Sequence, residues 1–461
     1  MAWSPVLEEG RGEKSSLSPF LESPLRQKAE RIVQRLAEAG HQALFAGGCV
    51  RDMVHGDEPH DYDIATDASP EEVQALFERT VPVGAQFGVV VVLDGDDQFQ
   101  VARFRADVGY SDGRRPDAVR LADAREDALR RDFTINGLFY DPLKGGILDF
   151  VGGQQDIREG VVRAIGDPDA RFAEDSLRLL RAVRFTARYA YRIEPATEAA
   201  LRRHAPEIRR VSAERIGEEL TRIFTGPHRG AALHLLHDTG LLRHVLPEVE
   251  AMVGCQQPPE FHPEGDVFTH TRLALDAIEN PSPVLAFATL LHDVGKPPTQ
   301  AESDRIRFNL HDKAGAQIAR AVCERLRLPL EQTEAIAGIV LDHMRFMAVR
   351  DMRESTLKRF LRSPHFAEGL EMHRADCLAS HGSLENYESC REKLATLPAE
   401  AIRPPRLITG HDLIALGYVP GPLFATILTR VEDAQLEGEV ATRDDALALV
   451  QREFPLGPMT K

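Results

Sequence analysis

The sequence predicts an α+β N-terminal head, a small mixed β-sheet with helices, followed by an all-α remainder made of a helical neck, a second helical domain and a helical tail. Three observations carry this. Up to about residue 150, β-branched or alternating runs bounded by Gly or Asp recur between helical patterns. From about residue 168 the helical apolar period takes over almost without interruption. The 461 residues also exceed what one hydrophobic core usually serves, so two or more domains are expected.

In chain order, residues 1–23 are rich in Ser, Gly and charge and read as a flexible tail, with helical patterning from Pro24 onward. Within the head, 24–150, the runs QALFAGG, DYDIAT, FGVVVVLDG and FQVARFRA read as strands. Ser69-Pro70-Glu71-Glu72 is a capping box with proline at the first helical position, so VQALFER is expected to be a helix. The neck, 151–257, carries DSLRLLRAVRFTARYA and AERIGEELTRIF at helical spacing. CQQPPEFHPEGD, with Pro258, Pro259 and Pro263, opens the next domain, 258–398, and PAEAIRPPRLITG opens the tail, 399–461.

Hydrophobic residues at 43% and charged residues at 28% are the balance of an ordinary globular protein. No apolar run approaches the roughly 18 residues of a membrane span, and MAWSPVLEEGRGEKSSLS lacks the apolar core of a signal peptide, so a cytoplasmic location is expected. Five cysteines, an odd number without CxxC spacing, argue against a disulfide framework and a thiolate zinc site. A net charge of -16 steers no polyanion inward, so any RNA contact has to be a local basic patch.

In DYDIAT, Asp61 and Asp63 stand two apart on an expected strand, which puts both carboxylates on one face. Such a pair suits Mg2+ in phosphoryl or nucleotidyl transfer, although an isolated DxD is also what a solvated edge strand looks like. The preceding turn adds weight. Gly47-Gly48 follows an apolar strand and opens the helix CVRDMVHG, freeing backbone amides for a triphosphate. Arg51 can reach the same phosphates with Asp52 orienting it, or the two can form a helix-surface pair.

GGCVRD, HDYDIAT, RRDFTING at 130–137 and EDSLRLLRAVRF at 174–185 follow one another in order. Through them the chain resembles the eubacterial-type (class II) CCA-adding tRNA nucleotidyltransferase and poly(A) polymerase family. The resemblance implies a nucleotidyltransferase head with Asp61 and Asp63 as catalytic Mg2+ ligands. It implies that Arg130, Arg131, Asp132 and Asn136 position the ribose and phosphates, where Asn136 could otherwise serve only as a cap. It also implies that Asp175 and Arg178, beside Arg181, present a base-like edge that selects CTP or ATP without a template. The ordinary alternative for Asp175 and Arg178 is a local helical ion pair.

VGYSDGRRPDAV resembles the loop these enzymes move when switching nucleotide. One departure stands out. The family's strand after the DxD carries a third carboxylate where this chain has Gln100, which binds Mg2+ weakly and cannot act as a base. Either Asp61 and Asp63 suffice at a reduced rate, which is the favoured reading, or a nearby acid, Asp94, Asp96 or Asp97, substitutes.

Downstream, Arg184, Arg188, Arg202, Arg203, Arg209 and Arg210, together with Arg192 and Arg215, form the best candidate for a track along the tRNA acceptor-stem phosphates. Solvated or acid-paired surface is the alternative for each.

LLHDVGKP places His292 and Asp293 at the end of an apolar helix, VFTHTRLALDAI offers His270, and HRADCLASHG offers Asp376. This set resembles the HD phosphohydrolase superfamily, which implies a divalent metal in an HD helical domain. His311 and His343 fall where dinuclear members carry further histidines, so a second ion is implied as well.

The expected reaction is addition of C and/or A residues to the tRNA 3' end from CTP and ATP, with release of pyrophosphate. An A-adding or poly(A)-forming enzyme is the alternative within that class, although VGAQFGVVVV lacks the paired basic residues associated with bacterial poly(A) polymerases. Outside it stands an HD metal-dependent phosphohydrolase whose head only holds RNA.

Overall fold

The computed structural model describes residues 23–83, 88–109, 118–302 and 306–456. Residues 1–22 of the expected tail, most of the loop VGYSDGRRPDAV and part of VGAQFGVVVV lie outside the described residues. The chain divides into two compact units, Met1–Glu219 with Asp238–Val245 and Leu220–His237 with Leu246–Lys461.

In the first unit, seven strands form one sheet: β1 (Ala43–Ala46), β2 (Ile64–Thr66), β3 (Thr80–Pro82), β4 (Val89–Asp94), β5 (Asp97–Arg103), and, after the separate pair β6 (Arg105–Val108) and β7 (Ala118–Leu121), β8 (Leu138–Asp141) and β9 (Gly146–Asp149). Their order is β3-β4-β5-β2-β1-β8-β9. The sheet is mixed because β2 pairs with β5 in parallel and with β1 antiparallel. The apolar run ALFA of β1 is buried at every position, as a strand covered on both faces requires.

Helix α1 (Pro24–Glu38) starts at Ser23 with Pro24 in the first turn. It is followed by α2 (Gly48–His55) and α3 (Pro70–Leu76). The expected capping box forms at α3: the Ser69 hydroxyl accepts from the Glu72 amide at 3.2 Å, and the Glu72 carboxylate accepts from the Ser69 amide at 2.7 Å. The helix stops at Leu76, short of the predicted Arg79, because Thr80–Pro82 pairs with β4 as the sheet edge and pulls Phe77 into an extended conformation. FQVARFRA likewise divides at buried Phe104, whose amide donates to the Thr66 carbonyl at 2.7 Å, between the end of β5 and the start of β6.

The unit continues with α4 (Ala124–Leu129), α5 (Gly153–Glu159), α6 (Pro168–Glu174), α7 (Leu177–Tyr189), α8 (Pro195–His204) and the start of α9 (Ala213–Phe224), whose residues from Leu220 belong to the second unit. Among the described residues, two small strand pairings interrupt the helical remainder: Val161–Val162 with Arg192–Ile193, and Gln300–Glu302 with Ile306–Phe308.

The second unit contains α10 (Val267–Ala277), α11 (Pro283–Leu291), α12 (His311–Arg325), α13 (Leu330–Asp342) and α14 (Phe366–Ala379). PVLAFATLL of α11 is apolar all round and buried from Leu285 to Leu291, which makes it a central helix of this unit. A distal cluster around Leu413, Ile427, Val431 and Leu449 forms a separate core. Among the described residues, no helix is long and apolar enough to cross a membrane.

Candidate active site and metal centre

Asp61 and Asp63 stand just before β2 rather than on it. Strand β1 ends at Ala46, whose amide still donates to the Asp63 carbonyl at 2.9 Å, and beyond that point residues 61 and 62 have no β1 residue to pair with. The alternation nevertheless persists. Tyr62 is buried with its ring centroid 5.0 Å from that of Phe45, while Asp61 is exposed and Asp63 half-buried. Burial and the neighbouring Asp61 charge push the Asp63 carboxyl up to about 6, against the opposing pull of Arg131. A buried carboxylate beside a second one fits a divalent cation as the shared counter-charge. Gln100 is exposed on β5, one residue before Val101, which is in register with Ile64; it therefore lies alongside Asp63.

The Gly47-Gly48 turn opens α2 as expected. Gly47 has φ +71° and donates its amide to the Leu138 carbonyl at 2.9 Å. A β-carbon there would stand 2.5 Å from Nη1 of Arg131, so the guanidinium lies directly over the turn. Arg131 donates from Nε and Nη2 to Asp127 at 3.2 and 3.0 Å and from Nη1 to the Asn136 carbonyl at 3.2 Å. Arg130 holds the other oxygen of Asp127, at 2.8 Å from Nε. Buried Asp127 thus clamps both arginines of the RRDF motif. The sequence reading assigned it no role, although its i,i+3 and i,i+4 spacing to Arg130 and Arg131 was visible.

Arg51 is buried under the same turn. It donates to Asp52 from Nε at 2.9 Å and from Nη2 at 2.8 Å, and to the Asn136 side-chain oxygen from Nη1 at 2.6 Å. Its guanidinium also lies over the rings of Phe185 and Tyr189, 5.0 and 5.1 Å from their centroids. Asn136 continues the chain of contacts by donating to Asp132 at 3.0 Å. Arg181 then donates to the other Asp132 oxygen at 2.7 Å. Burial opposes ionisation of Asp132, but Arg181, the Asn136 amide and Arg178 outweigh it and hold the carboxyl below its ordinary range. The structure therefore gathers Arg51, Asn136, Asp132 and Arg181 into one network, and Asn136 is a link in it rather than a cap.

Asp175 and Arg178 do not share a helix. α6 ends at Glu174, Asp175 is extended with φ −148° and ψ 104°, and α7 starts at Leu177, whose amide donates to the Asp175 carboxylate at 3.0 Å. That capping bond takes Asp175 out of the helical run its spacing suggested. The local ion pair is replaced by two others: Arg178 with Glu174 at 2.6 Å and Asp175 with Arg215 at 2.7 Å.

The remaining arginines are largely engaged with acids. Arg184 pairs with Glu219 at 3.1 Å, Arg188 with Asp52 at 3.6 Å, Arg202 with Glu198 at 2.7 Å, Arg203 with Asp169 at 2.7 Å and Arg210 with Glu207 at 3.5 Å. Arg209 is exposed. Arg188, Arg202, Arg203 and Arg210 are exposed in spite of their partners.

In the second unit all six sequence-predicted ligands converge. Nε2 of His270 lies 3.2 Å from Nε2 of His292 and 3.0 Å from Asp376. Nε2 of His311 lies 3.1 Å from Nε2 of His343. Asp293 stands between the two pairs, with Oδ2 at 3.3 Å from His292 and Oδ1 at 3.7 and 3.9 Å from His311 and His343.

A carbonyl can only accept. The contacts of His292 Nδ1 to the Thr289 carbonyl (2.8 Å), His311 Nδ1 to that of Phe308 (2.9 Å) and His343 Nδ1 to that of Val340 (2.6 Å) therefore place a proton on Nδ1, so that in the neutral imidazole it is Nε2 that carries the lone pair. Burial pushes His343 down to about 4, against the attraction of Asp293, so this imidazole is neutral. Lone pairs facing each other at this distance fit metal ions as their acceptors. Around His270 burial lowers the pKa, but its bonds to Asp376 and Glu264 raise it further, to about 9. Glu264, 2.7 Å from His270 Nδ1, and Lys296, 2.7 Å from Asp293, belong to this centre as well. The sequence reading gave neither a role, although both flank its motifs in HPEGD and HDVGKP.

Known families match the segments that carry both sites. Residues 43–163 match the family described as "Poly A polymerase head domain", residues 190–253 the one described as "Probable RNA and SrmB- binding site of polymerase A", and residues 266–379 the "HD domain". A CCA-adding enzyme of Lactobacillus helveticus is 42% identical over 219 residues, 47% of this chain and 55% of that protein. In this and similar matches the chain spans about half the length of the curated relatives. A CCA-adding enzyme of Bacillus licheniformis is 40% identical over 422 residues, 91% of this chain and 96% of that protein. The solved structure of the Bacillus stearothermophilus CCA-adding enzyme in complex with CTP is similar with a TM-score of 0.70 and 27% identity, covering 93% of this chain and 98% of that one. With that identity sustained over nearly the whole of a relative, and with the head, RNA-binding and HD families in order along it, the chain belongs to the eubacterial-type CCA-adding enzyme family.

Proposed function

We propose that this protein adds C and A residues to the tRNA 3' end: the RNA 3'-hydroxyl attacks the α-phosphate of CTP or ATP, and pyrophosphate leaves. The observation that carries the proposal is the convergence of the Asp61–Asp63 pair and the Gly47-Gly48 turn beneath Arg131. Asp61 and Asp63 are the ligands for Mg2+, which when bound supplies Lewis-acid activation and neutralises triphosphate charge. Arg131 and Arg130, held by Asp127, and the Gly48 amide at the start of α2 meet the phosphates. Asp132 and Asn136 meet the ribose, with Arg51 and Arg181 fixing them in place. Asp175 and Arg178 read the base, and the exposed arginines from Arg188 to Arg210, with Arg184 near them, meet the acceptor stem. Five buried free thiols agree with a reducing, cytoplasmic location.

The test is incubation of tRNAs lacking one, two or three terminal nucleotides with each nucleotide. Extension of all three to the mature end, stopping there, is expected. Continued A addition would select the poly(A) reading, and no extension of any substrate would overturn the proposal.

A second reading applies to the HD domain. The two oxygens of Asp293, each facing a pair of imidazoles, support a dinuclear divalent-metal centre. Such ions supply Lewis-acid chemistry for phosphoester hydrolysis at RNA ends or nucleotides. Release of inorganic phosphate from a 3'-phosphorylated tRNA, dependent on Asp293, is the corresponding assay.

A further inference from the structure

Cytosine and adenine each present an exocyclic amino group where uracil and guanine present a carbonyl oxygen. A carboxylate that reads this difference has to aim an accepting lone pair at one point, because a rotated carboxylate loses the contact. Asp175 is poorly placed to hold such an aim by itself. It sits in the link between α6 and α7 with extended backbone, tied to α7 only by the bond from the Arg178 amide to its carbonyl at 3.0 Å and by that from the Leu177 amide to its side chain, and it makes no side-chain bond to Arg178. Arg178 is held elsewhere, by Glu174 at 2.6 Å and by the carbonyls of Arg171 and Arg130 at 3.0 and 3.2 Å.

What fixes the carboxylate is a fork from α9. Nη2 of Arg215 donates to Oδ2 at 2.7 Å and Nη1 to Oδ1 at 3.3 Å, and the Leu177 amide adds a third bond, to Oδ1, at 3.0 Å. A carboxylate offers roughly four acceptor sites. Three are taken, so the accepting direction that remains is on Oδ2, and the plane of the Arg215 guanidinium sets it.

We propose that Arg215 is the specificity-positioning residue of nucleotide transfer: through its two-pronged bond to Asp175 it aims the free acceptor so that CTP and ATP are taken and UTP and GTP refused. The inference rests on the base-reading role of Asp175 given above. It also removes Arg215 from the arginines that the sequence assigns to an RNA phosphate track. Lysine supplies the charge without the planar fork, so orientation and charge are separable.

The test uses the full-length protein as wild type, Arg215→Lys, Arg215→Met and Asp175→Ala. CTP and UTP binding is measured without tRNA, and single additions to a tRNA lacking its last nucleotides give kcat and KM for each nucleotide and for the tRNA. In both Arg215 variants the preference for CTP over UTP is expected to fall about ten-fold or more, as for loss of one well-aimed base contact. The nucleotide KM moves more than kcat, and the KM for tRNA stays unchanged. Thermal melting of Arg215→Lys close to wild type keeps the result independent of folding.

Retention of the preference in Arg215→Lys and Arg215→Met, beside its loss in Asp175→Ala, overturns the inference alone. A tRNA KM that rises while nucleotide preference holds overturns it in favour of the phosphate track. Retention of the preference in Asp175→Ala overturns the base-reading role, and this inference with it.

Discussion

Nη1 of Arg131 lies 2.5 Å from where a β-carbon on Gly47 would stand, so the smallest side chain in the motif sets the position of the arginine above the turn. Gly47→Ala meets both that contact and a positive φ of +71° with ψ −116°. The backbone strain costs about 1–3 kcal/mol, and the displaced guanidinium leaves the phosphates. The variant is expected to melt a few degrees lower and to raise the CTP KM by about ten-fold or more. A variant with lowered melting temperature and an unchanged CTP KM would place Arg131 outside the nucleotide contact.

Asp63 gives the metal-free protein a pH signature. Its folded carboxyl is raised from the ordinary 3.8 to about 6 by burial and by Asp61, with Arg131 opposing. Between about pH 4 and 6 the metal-free folded state therefore retains a proton that the unfolded state has released, and stability falls as pH rises through that window, then levels. Asp63→Asn lacks this loss. In chelator, calorimetry is expected to show the variant gaining on wild type from about pH 4 to about pH 8. Added Mg2+ should close the gap at the higher pH by stabilising wild type only. A wild type that gains on Asp63→Asn as pH rises in chelator contradicts the raised carboxyl.

Gln100 sits one residue before the Ile64–Val101 pairing, beside Asp63 and on the side of the sheet that carries the carboxylates. Gln100→Glu restores a third anionic donor there and is expected to raise the single-turnover rate of C addition several-fold, on the order of what one added ligand contributes. An unchanged or lower rate means that the two aspartates already supply all the reaction uses.

In the HD centre, Asp293 serves both imidazole pairs while His343 serves one. Elemental analysis after loading with Mn2+ is expected to find two ions per wild-type chain, one in His343→Ala and none in Asp293→Ala. A single ion retained by Asp293→Ala would show that this carboxylate does not bridge the pairs.

Much of the chemistry was legible because it lies in contiguous motifs. GGCVRD states its turn directly, Ser69-Pro70-Glu71-Glu72 its cap, and each of the six HD ligands carries its own chemistry wherever its helix ends up. What escaped depended on capping, burial and pairing that only the folded backbone brings about. Helical periodicity runs through EDSLRLLR without a break, and only the bond from the Leu177 amide to Asp175 shows that the helix starts later. Arg215 reads as one more surface arginine until α9 brings it to Asp175, 40 residues away in sequence. Asp127 reads as a helix-surface acid until burial leaves it facing Arg130 and Arg131. The three-residue edge strand β3 is too short to show alternation and exists because β4 pairs with it.

The proposed transfer chemistry depends on Asp61 and Asp63 as its ligands. It is tested most directly by giving Asp61→Ala and Asp63→Ala, each confirmed folded by melting, a tRNA without its terminal CCA together with CTP, ATP and Mg2+. Loss of C and A addition by at least about a thousand-fold, with tRNA binding and the HD-centre metal content retained, is predicted. Addition at near wild-type rate by either variant would contradict it.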